Sequence, residues 1–207
     1  MTEPSPAIAV EGLEVVYQRG GEPAVVGLTF QVPPGGGLLL AGGEGAGKTT
    51  VLRAVLGLVP FTGTVAVLDG RPGDDDVARR IGYGPQGRRF MEGHTARDVV
   101  RLVAALRTGG RAHEGAEDAL ERAGLPPSRR GVRVLDVEES RRVALACAVA
   151  GDPDVLVLDD PWEHPETVEA IRAARGRGAA VLAATHLAGG FPELLGATLE
   201  LAPGAAS

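Results

Sequence analysis

Lysine is almost missing from this sequence. Of its 21 lysine and arginine residues, only Lys48 is a lysine. A G+C-rich coding bias accounts for an excess of arginine. The one position that keeps lysine then marks a place where a compact ammonium serves and a planar guanidinium does not. Aromatic residues make up 3% of the chain, so a core has to be built from Val, Leu and Ala. At 44% apolar residues over 207 positions there is enough material for one domain, with or without an inserted lobe. The single cysteine, Cys147, excludes an internal disulfide and fits a reducing compartment. No apolar run approaches the roughly 20 residues that cross a bilayer. Residues 1–12 have neither the basic nor the apolar region of a secretion signal. Work at a membrane is therefore expected to pass through a partner. The net charge of -6 lacks the basic footprint of nucleic-acid binders, so no nucleic-acid partner is expected.

The apolar periodicity predicts an alternating α/β chain. Short strands are expected at Leu13–Tyr17 and Val25–Val32, joined by a turn at Gly20–Pro23, and at Leu38–Ala41. A helix over Thr49–Leu58 and strands at Thr64–Leu68 and Ile81–Tyr83 follow. From about residue 87 to 150 the pattern turns helical, with helices at Thr95–Arg107, Ala116–Ala123 and Glu138–Ala150. Strands return at Val155–Leu158, Ala180–Ala184 and Thr198–Leu201, separated by helices at Glu166–Arg175 and Phe191–Leu195. The expectation is an α/β core with a front antiparallel pair and a helical insertion. Asp74–Asp76 reads as a solvated loop or a helix cap, and Ala202–Ser207 as a frayed tail.

Gly42-Gly43-Glu44-Gly45-Ala46-Gly47-Lys48-Thr49 fits the pattern G-x-x-x-x-G-K-[ST]. Placed between a strand and a helix, such a loop turns backbone N–H groups inward around a triphosphate. Lys48 can reach the outer phosphates, the Thr49 hydroxyl can ligate Mg2+, and the helix start adds positive potential. Gly42 through Thr50 are the candidate ATP-binding residues here. A second candidate lies 110 residues on. The apolar strand ending in Asp159-Asp160 can set a carboxylate opposite the loop to hold Mg2+. Paired acids after a strand also serve as a helix cap. His94, His113 and His164 lack paired-His or Cys spacing, so zinc is not expected.

With these motifs in this order, the chain resembles the nucleotide-binding domain of an ATP-binding cassette (ABC) transporter from about Ile8 to Leu201. The resemblance implies a P-loop NTPase (RecA-like) core with a small antiparallel β-subdomain and a helical insert, all one ABC-type domain. It implies that Tyr17, in Leu13-Glu14-Val15-Val16-Tyr17, stacks on adenine. It implies that Gln86, closing Arg80-Ile81-Gly82-Tyr83-Gly84-Pro85-Gln86, touches Mg2+ and signals to the helical lobe. By the same resemblance Asp159 ligates Mg2+, Asp160 is the general base and His186, after Thr185, contacts the γ-phosphate. Alone, Tyr17, Gln86 and His186 could each be ordinary edge residues.

The chain also departs from that family. Its signature LSGGQ stands here as Leu135-Asp136-Val137-Glu138-Glu139, ahead of a helix that matches well. In the family, two domains face head to tail and each signature caps the partner's ATP. Asp136, Glu138 and Glu139 would there point acids at a phosphate, and Val137 replaces a close-approach glycine. The family's glutamate base is Asp160, one methylene shorter. The segment after Pro161, Trp162-Glu163-His164-Pro165, is two residues short and has no clear match to the D-loop aspartate. Trp162 reads as a packing anchor or an interface residue. Cys147 reads as core, and Arg88-Arg89 as a solvated turn or a membrane-subunit contact.

The implied function is the ATP-binding subunit of an ABC transporter, with ATP and Mg2+ as ligands and weak hydrolysis. Its implied partners are a transmembrane permease subunit and a second ATP-binding cassette, in a homo- or heterodimer. Its implied place is cytoplasmic, peripheral at the inner face of the cell membrane. Two alternatives stay open: a non-catalytic degenerate subunit of a heterodimer, and a soluble ABC-family ATPase outside transport.

Overall fold

In the computed structural model, residues 5–18, 20–86, 90, 93–109, 112–125, 131–132, 135–186, 189 and 191–202 are described, with residues 112–114 described for their backbone alone. The expectations for Arg88-Arg89, for residues 203–207 of the tail and for the His113 side chain lie outside these.

Two sheets organise the chain. The parallel sheet has the order β5-β6-β7-β3-β8, with β3 Gly37–Ala41, β5 Ile81–Gly84, β6 Val155–Asp159, β7 Ala180–Thr185 and β8 Thr198–Glu200. Strands β6 and β7 are buried at every residue, which is why they read as unbroken apolar runs. The second sheet is antiparallel, of order β2-β1-β4, from β1 Ile8–Val15, β2 Val25–Val32 and β4 Thr62–Val67. The expected pair is thus three strands, because β4 returns to the free edge of β1 after a helix. The alternation in β1 slips after Glu11, where a register shift lets Leu13 and Val15 return to the buried face beside Ile8 and Val10.

Period-two alternation in the parallel strands feeds two cores. Leu39, Leu156, Leu158, Val181 and Ala183 face one side. Leu38, Leu40, Val155, Val157 and Leu182 face the other, with the apolar residues of β1, β2, β4 and of α1 Lys48–Val55. Helices α3 Ala96–Thr108, α4 Ala112–Arg122, α5 Val137–Val149, α6 Pro165–Gly176 and α7 Phe191–Leu195 supply the first side. Of the two readings of Asp74–Asp76, a solvated loop or a helix cap, the structure has the cap: Asp74 is the N-cap position of α2 Asp75–Arg80, and Asp75 and Asp76 fill its first turn, where acids suit the helix dipole.

Helix α3 starts at a Thr95–Asp98 capping box, in which the Asp98 N–H donates to the Thr95 hydroxyl at 3.2 Å and the Thr95 N–H donates back at 2.9 Å. Its other end carries Arg107, whose guanidinium donates to the carbonyls of Cys147, Ala148 and Ala150 at 2.8, 3.1 and 2.7 Å. Burial draws Arg107 down to about 10, so it remains charged near neutrality and closes the C-terminal end of α5. Burial likewise pushes the Cys147 thiol up to about 12, in keeping with a packing role.

Strand β5 lies so close to α5 that a Cβ on Gly82 would collide with the Ala148 carbonyl oxygen. Gly176, at the end of α6, has open space where a Cβ would go. Gly82→Ala is therefore expected to cost about 1–3 kcal/mol through overpacking. Gly176→Ala should be neutral or stabilising by up to about 1 kcal/mol. Urea unfolding followed by circular dichroism measures both; equal stabilities would show that β5 and α5 can part without cost.

Candidate functional site

The C-terminal ends of four adjacent parallel strands meet at one edge of the sheet, the place where α/β sheets bind ligands. Strand β3 runs into the glycine loop, β5 into Gln86, β6 into Asp159-Asp160, and β7 into Thr185-His186. Residues from all four line one cleft of about 260 Å³.

The loop is shaped by contacts beneath it. Gly47 is left-handed at φ 83°, and a Cβ there would strike the Ala24 carbonyl that opens β2. Gly43 and Gly45 face open space on the other side. The loop's back is thus packed against the antiparallel sheet while its front stays accessible. Ala46 is buried, and Gly43, Glu44 and Gly45 are exposed. The Lys48 ammonium donates to the carbonyls of Gly42 and Gly43 at 2.7 and 2.6 Å, so it stands over the mouth of the loop.

Thr49 and Thr50 follow Lys48 in the first turn of α1 and reach different partners. The Thr49 hydroxyl donates to Asp159 Oδ1 at 3.0 Å, across the sheet. The Thr50 hydroxyl shares a hydrogen bond with the Tyr17 hydroxyl at 3.1 Å, and the Tyr17 side chain is half exposed beside the loop. Asp159 is buried, and that burial, with the neighbouring charge of Asp160, holds its carboxyl above the usual range. Thr49, Arg53 and Lys48 offset this in part. A carboxylate short of positive charge beside a hydroxyl oxygen fits Mg2+, which favours such hard oxygen ligands. Among the described residues no cluster of three His, Cys, Asp or Glu side chains converges. A metal at Thr49 and Asp159 would complete its shell from phosphate and water.

Asp160 gathers the remaining candidates. Its backbone is left-handed at φ 51°, uncommon for a residue with a side chain, and its N–H donates to the Ala184 carbonyl at 2.7 Å. Oδ1 accepts from the Thr185 hydroxyl at 3.2 Å and pairs with His186 Nδ1 at 2.9 Å. Oδ2 accepts from Gln86 Nε2 at 3.3 Å. The fold thus brings Gln86, Asp160 and His186 onto one carboxylate. Thr185 is the member that sequence reading passes over. Its hydroxyl ends a buried strand, and nothing in the pattern tells a strand threonine that packs from one that donates.

The altered signature departs from its expected geometry. Its acids do not all project outward. Asp136 caps α5: the Glu139 N–H donates to Asp136 Oδ1 at 2.8 Å, and the Asp136 N–H donates to Glu139 Oε2 at 3.0 Å. Glu138 pairs with Arg142 at 2.8 Å. Val137 is exposed. Trp162 is half buried, stacks on His164 with ring centroids 4.0 Å apart, and has the Arg141 guanidinium 5.4 Å over its ring. His164 in turn pairs with Glu166. Trp162 is therefore anchored within the chain.

A glycine loop closed onto a strand-end aspartate, with a glutamine, a second aspartate and a histidine beside it, defines a P-loop nucleotide site. Residues 25–163 match the model of the ABC transporter family, and the chain belongs to that family. A Nod factor export ATP-binding protein I of Paraburkholderia xenovorans (strain LB400) is 34% identical over 200 residues, covering 87% of this chain and 64% of the relative. A putative ABC transporter ATP-binding protein of Streptomyces avermitilis is 35% identical over 205 residues, covering 86% and 36%. The cytochrome c biogenesis ATP-binding export protein CcmA of Paracoccus denitrificans (strain Pd 1222) is 33% identical over 206 residues, covering 97% and 91%. The chain thus spans between about a third and just under two thirds of the first two relatives. Among solved structures, an ATP-binding subunit of an ABC transporter superposes with a TM-score of 0.85 at 22% identity, covering 96% of this chain and 87% of that one. A dimeric bacterial ABC transporter cassette gives 0.84 at 21% identity, covering 95% of each. These two likenesses show the fold, and they match the P-loop α/β core with its small antiparallel sheet.

The Asp159 shift has a consequence for stability. Its folded value lies above its ordinary 3.8, so keeping it ionised costs folding free energy once pH rises through that interval. Asp159→Asn removes the cost and keeps an acceptor for Thr49. The nucleotide-free variant is expected to match wild type near pH 4 and to melt increasingly higher than wild type as pH rises, with a constant gap above the folded value. Melting curves from pH 4 to 8 measure this. A gap that is absent or reversed at pH 7 would show that Asp159 is adequately solvated.

Proposed function

We propose that this chain is the ATP-binding subunit of an ABC transporter, binding ATP with Mg2+ and coupling it to a transmembrane permease subunit, with weak hydrolysis. The observation that carries this reading is the Thr49–Asp159 contact, which joins the glycine loop to the end of β6 beside Gln86, Asp160 and His186. In this reading the N–H groups of residues 42–47 and the start of α1 hold the phosphates, and Lys48 neutralises their outer oxygens. Thr49 and Asp159, with Gln86 adjoining, hold Mg2+, which supplies charge neutralisation on the phosphate oxygens. Tyr17 stacks on adenine. Asp160 is placed to accept a proton from water, and His186 to face the terminal phosphate.

The relatives named for Nod factor export and for cytochrome c biogenesis export support coupling to a membrane partner. A dimeric cassette of the same fold supports pairing with a second cassette. Among the described residues no helix is long and apolar enough to cross a membrane. A cytoplasmic subunit, peripheral at the inner face of the cell membrane, fits these observations. The helices between β5 and β6 are read as an insert of about residues 87–150 in a single ABC-type domain.

One observation favours the second reading, a non-catalytic subunit of a heterodimer. The N-terminal end of α5 is closed by its own acids, so two N–H groups that could hold an anion are already satisfied. That end offers an approaching phosphate net negative charge. Asp160, moreover, already receives Thr185, His186 and Gln86, and it is shorter than glutamate by one methylene. A partner with an intact signature would then cap the site built on Lys48.

Calorimetry should show ATP-Mg2+ binding to the purified chain, weakened at least about tenfold in Lys48→Ala, as expected for loss of a charge-assisted contact. Steady-state phosphate release by the chain alone should stay well below about 1 s⁻¹, the low end of ordinary turnover. Equal ATP binding by wild type and Lys48→Ala would overturn the nucleotide site. Release at about 1 s⁻¹ or faster, abolished by Lys48→Ala, would overturn the claim of impaired hydrolysis.

A further inference from the structure

Helix α5 is held in two ways along its length. Toward its C-terminal end it is closely packed. Ala146, Ala148 and Ala150 are fully buried, β5 approaches so near that Gly82 has no room for a Cβ, and Arg107 closes the last carbonyls. Toward its start the contact is of another kind. Asp136, Val137 and Glu138 are exposed. Arg141 and Arg142 reach the segment between β6 and α6, and the first turn of α6, by their tips. The Arg141 guanidinium lies 5.4 Å over the Trp162 ring. The Arg142 guanidinium pairs with Glu166 at 3.3 Å and with Glu138 at 2.8 Å, and it donates to the Gly124 carbonyl just past α4 at 2.7 Å. Glu166 also takes His164, on which Trp162 stacks. With Ala144 and Thr167, these side chains border a cavity of about 70 Å³, which is room for water. Arg142 Nε is buried without an acceptor among the described residues. Polar tips around such a cavity exchange for water at small net loss. Close-packed apolar atoms have no such substitute.

We propose that the start of α5 is a separable joint: the Arg142–Glu166–His164 contact, with Arg141 on Trp162, is a latch that lets residues 136–142 part from the segment joining β6 to α6 while the helix stays pinned from Ala146 onward. Opening breaks the contacts of Arg142 with Glu166 and Gly124 and of Arg141 with Trp162. The Glu138–Arg142 pair, four residues apart on one helix, travels with the moving end. So does the Asp136–Glu139 cap, because both its members lie there. Local opening of this kind draws on regions with few buried apolar contacts, which describes this end of the helix and not the other. The surface presented by the helix start is thereby set from α6, by a glutamate outside the candidate nucleotide contacts. No bound nucleotide is required, so the joint stands apart from the ATP reading.

Thiol reactivity reads the opening. Ala144→Cys sets a thiol at the border of the cavity, on the latched half of the helix. Native Cys147, three residues on, is the control on the pinned half, its thiol pushed up to about 12 by burial. Labelling with iodoacetamide, localised by tandem mass spectrometry, gives a rate at each position. In the Ala144→Cys background, Arg142→Met and Glu166→Gln should each raise labelling at position 144 about tenfold, the order expected from losing a hydrogen bond to a charged group. The rate at Cys147 should stay unchanged in both. The two substitutions remove charges of opposite sign beside the new thiol, so an effect on its ionisation alone would move the two rates in opposite directions. The proposal is overturned if the rate at position 144 does not rise, if the two variants move it in opposite directions, or if position 144 and Cys147 rise together, which is the mark of whole-helix opening. Should Arg142→Met fail to fold, Glu166→Gln, which keeps size and shape, decides the matter by the same comparison of the two positions.

Discussion

Two carboxylates stand side by side at the end of a strand buried along its whole length, and neither can be left alone there. Like charges on adjacent residues repel, and burial removes the water that would screen them. The fold answers each from a different direction. Asp159 turns toward α1 and takes the Thr49 hydroxyl; Asp160, by way of a left-handed backbone, turns toward β5 and β7 and takes Gln86, Thr185 and His186. The strand order β5-β6-β7-β3 and the placing of Thr49, Gln86, Thr185 and His186 can be read as the supply of donors to this pair. Donors alone leave Asp159 above its ordinary range, and the residual need is for a cation.

The same demand explains why the end of α5 behaves as it does. An exposed helix start with free N–H groups favours an anion. Here Asp136 and Glu139 provide it from within the chain. A segment that would otherwise turn its N–H groups toward a ligand is made locally complete, which stabilises the helix and lowers its appetite for phosphate. Glu138 is drawn off to Arg142, which also donates to the Gly124 carbonyl and pairs with Glu166. The acids that look hostile on paper are thus held by partners inside the chain.

The parts legible in the sequence were those written in contiguous residues or in a regular period. The glycine loop, the apolar runs of β3, β6 and β7, and the matching α5 helix all fall in this group. Many strand and helix ends came close because glycine, proline and capping residues mark them, as Thr95 and Asp98 do for α3; β1 is the exception, running over Ile8–Val15 where Leu13–Tyr17 was expected, because the register shift after Glu11 breaks its alternation. What pairing across the chain decides was not legible. The third antiparallel strand needed the return of β4 to β1. At the aspartate run the sequence left a solvated loop and a helix cap side by side; the structure has the cap, with Asp74 at the N-cap position of α2. Within the site, Gln86, Asp160 and His186 could be nominated only through the resemblance to the ABC family, and their meeting on one carboxylate, the donation from Thr185 and the Tyr17–Thr50 bond depend on side-chain directions that no period encodes. For Trp162 the sequence left packing and interface side by side; the stack on His164 and the guanidinium above its ring show the packing.

That tryptophan is the only one in the chain, and it lies two residues past Asp160, against the His164 imidazole and the Arg141 guanidinium. The rarity of aromatic residues therefore gives the protein an optical readout of a single place. Its indole emission arises from the segment that links β6 to α6 and from nowhere else. Any rearrangement that loosens His164 or lifts Arg141 with the start of α5 alters the immediate surroundings of the fluorophore. The chain thus carries, without labelling, a spectroscopic reporter at the junction between its carboxylate pair and its helical side.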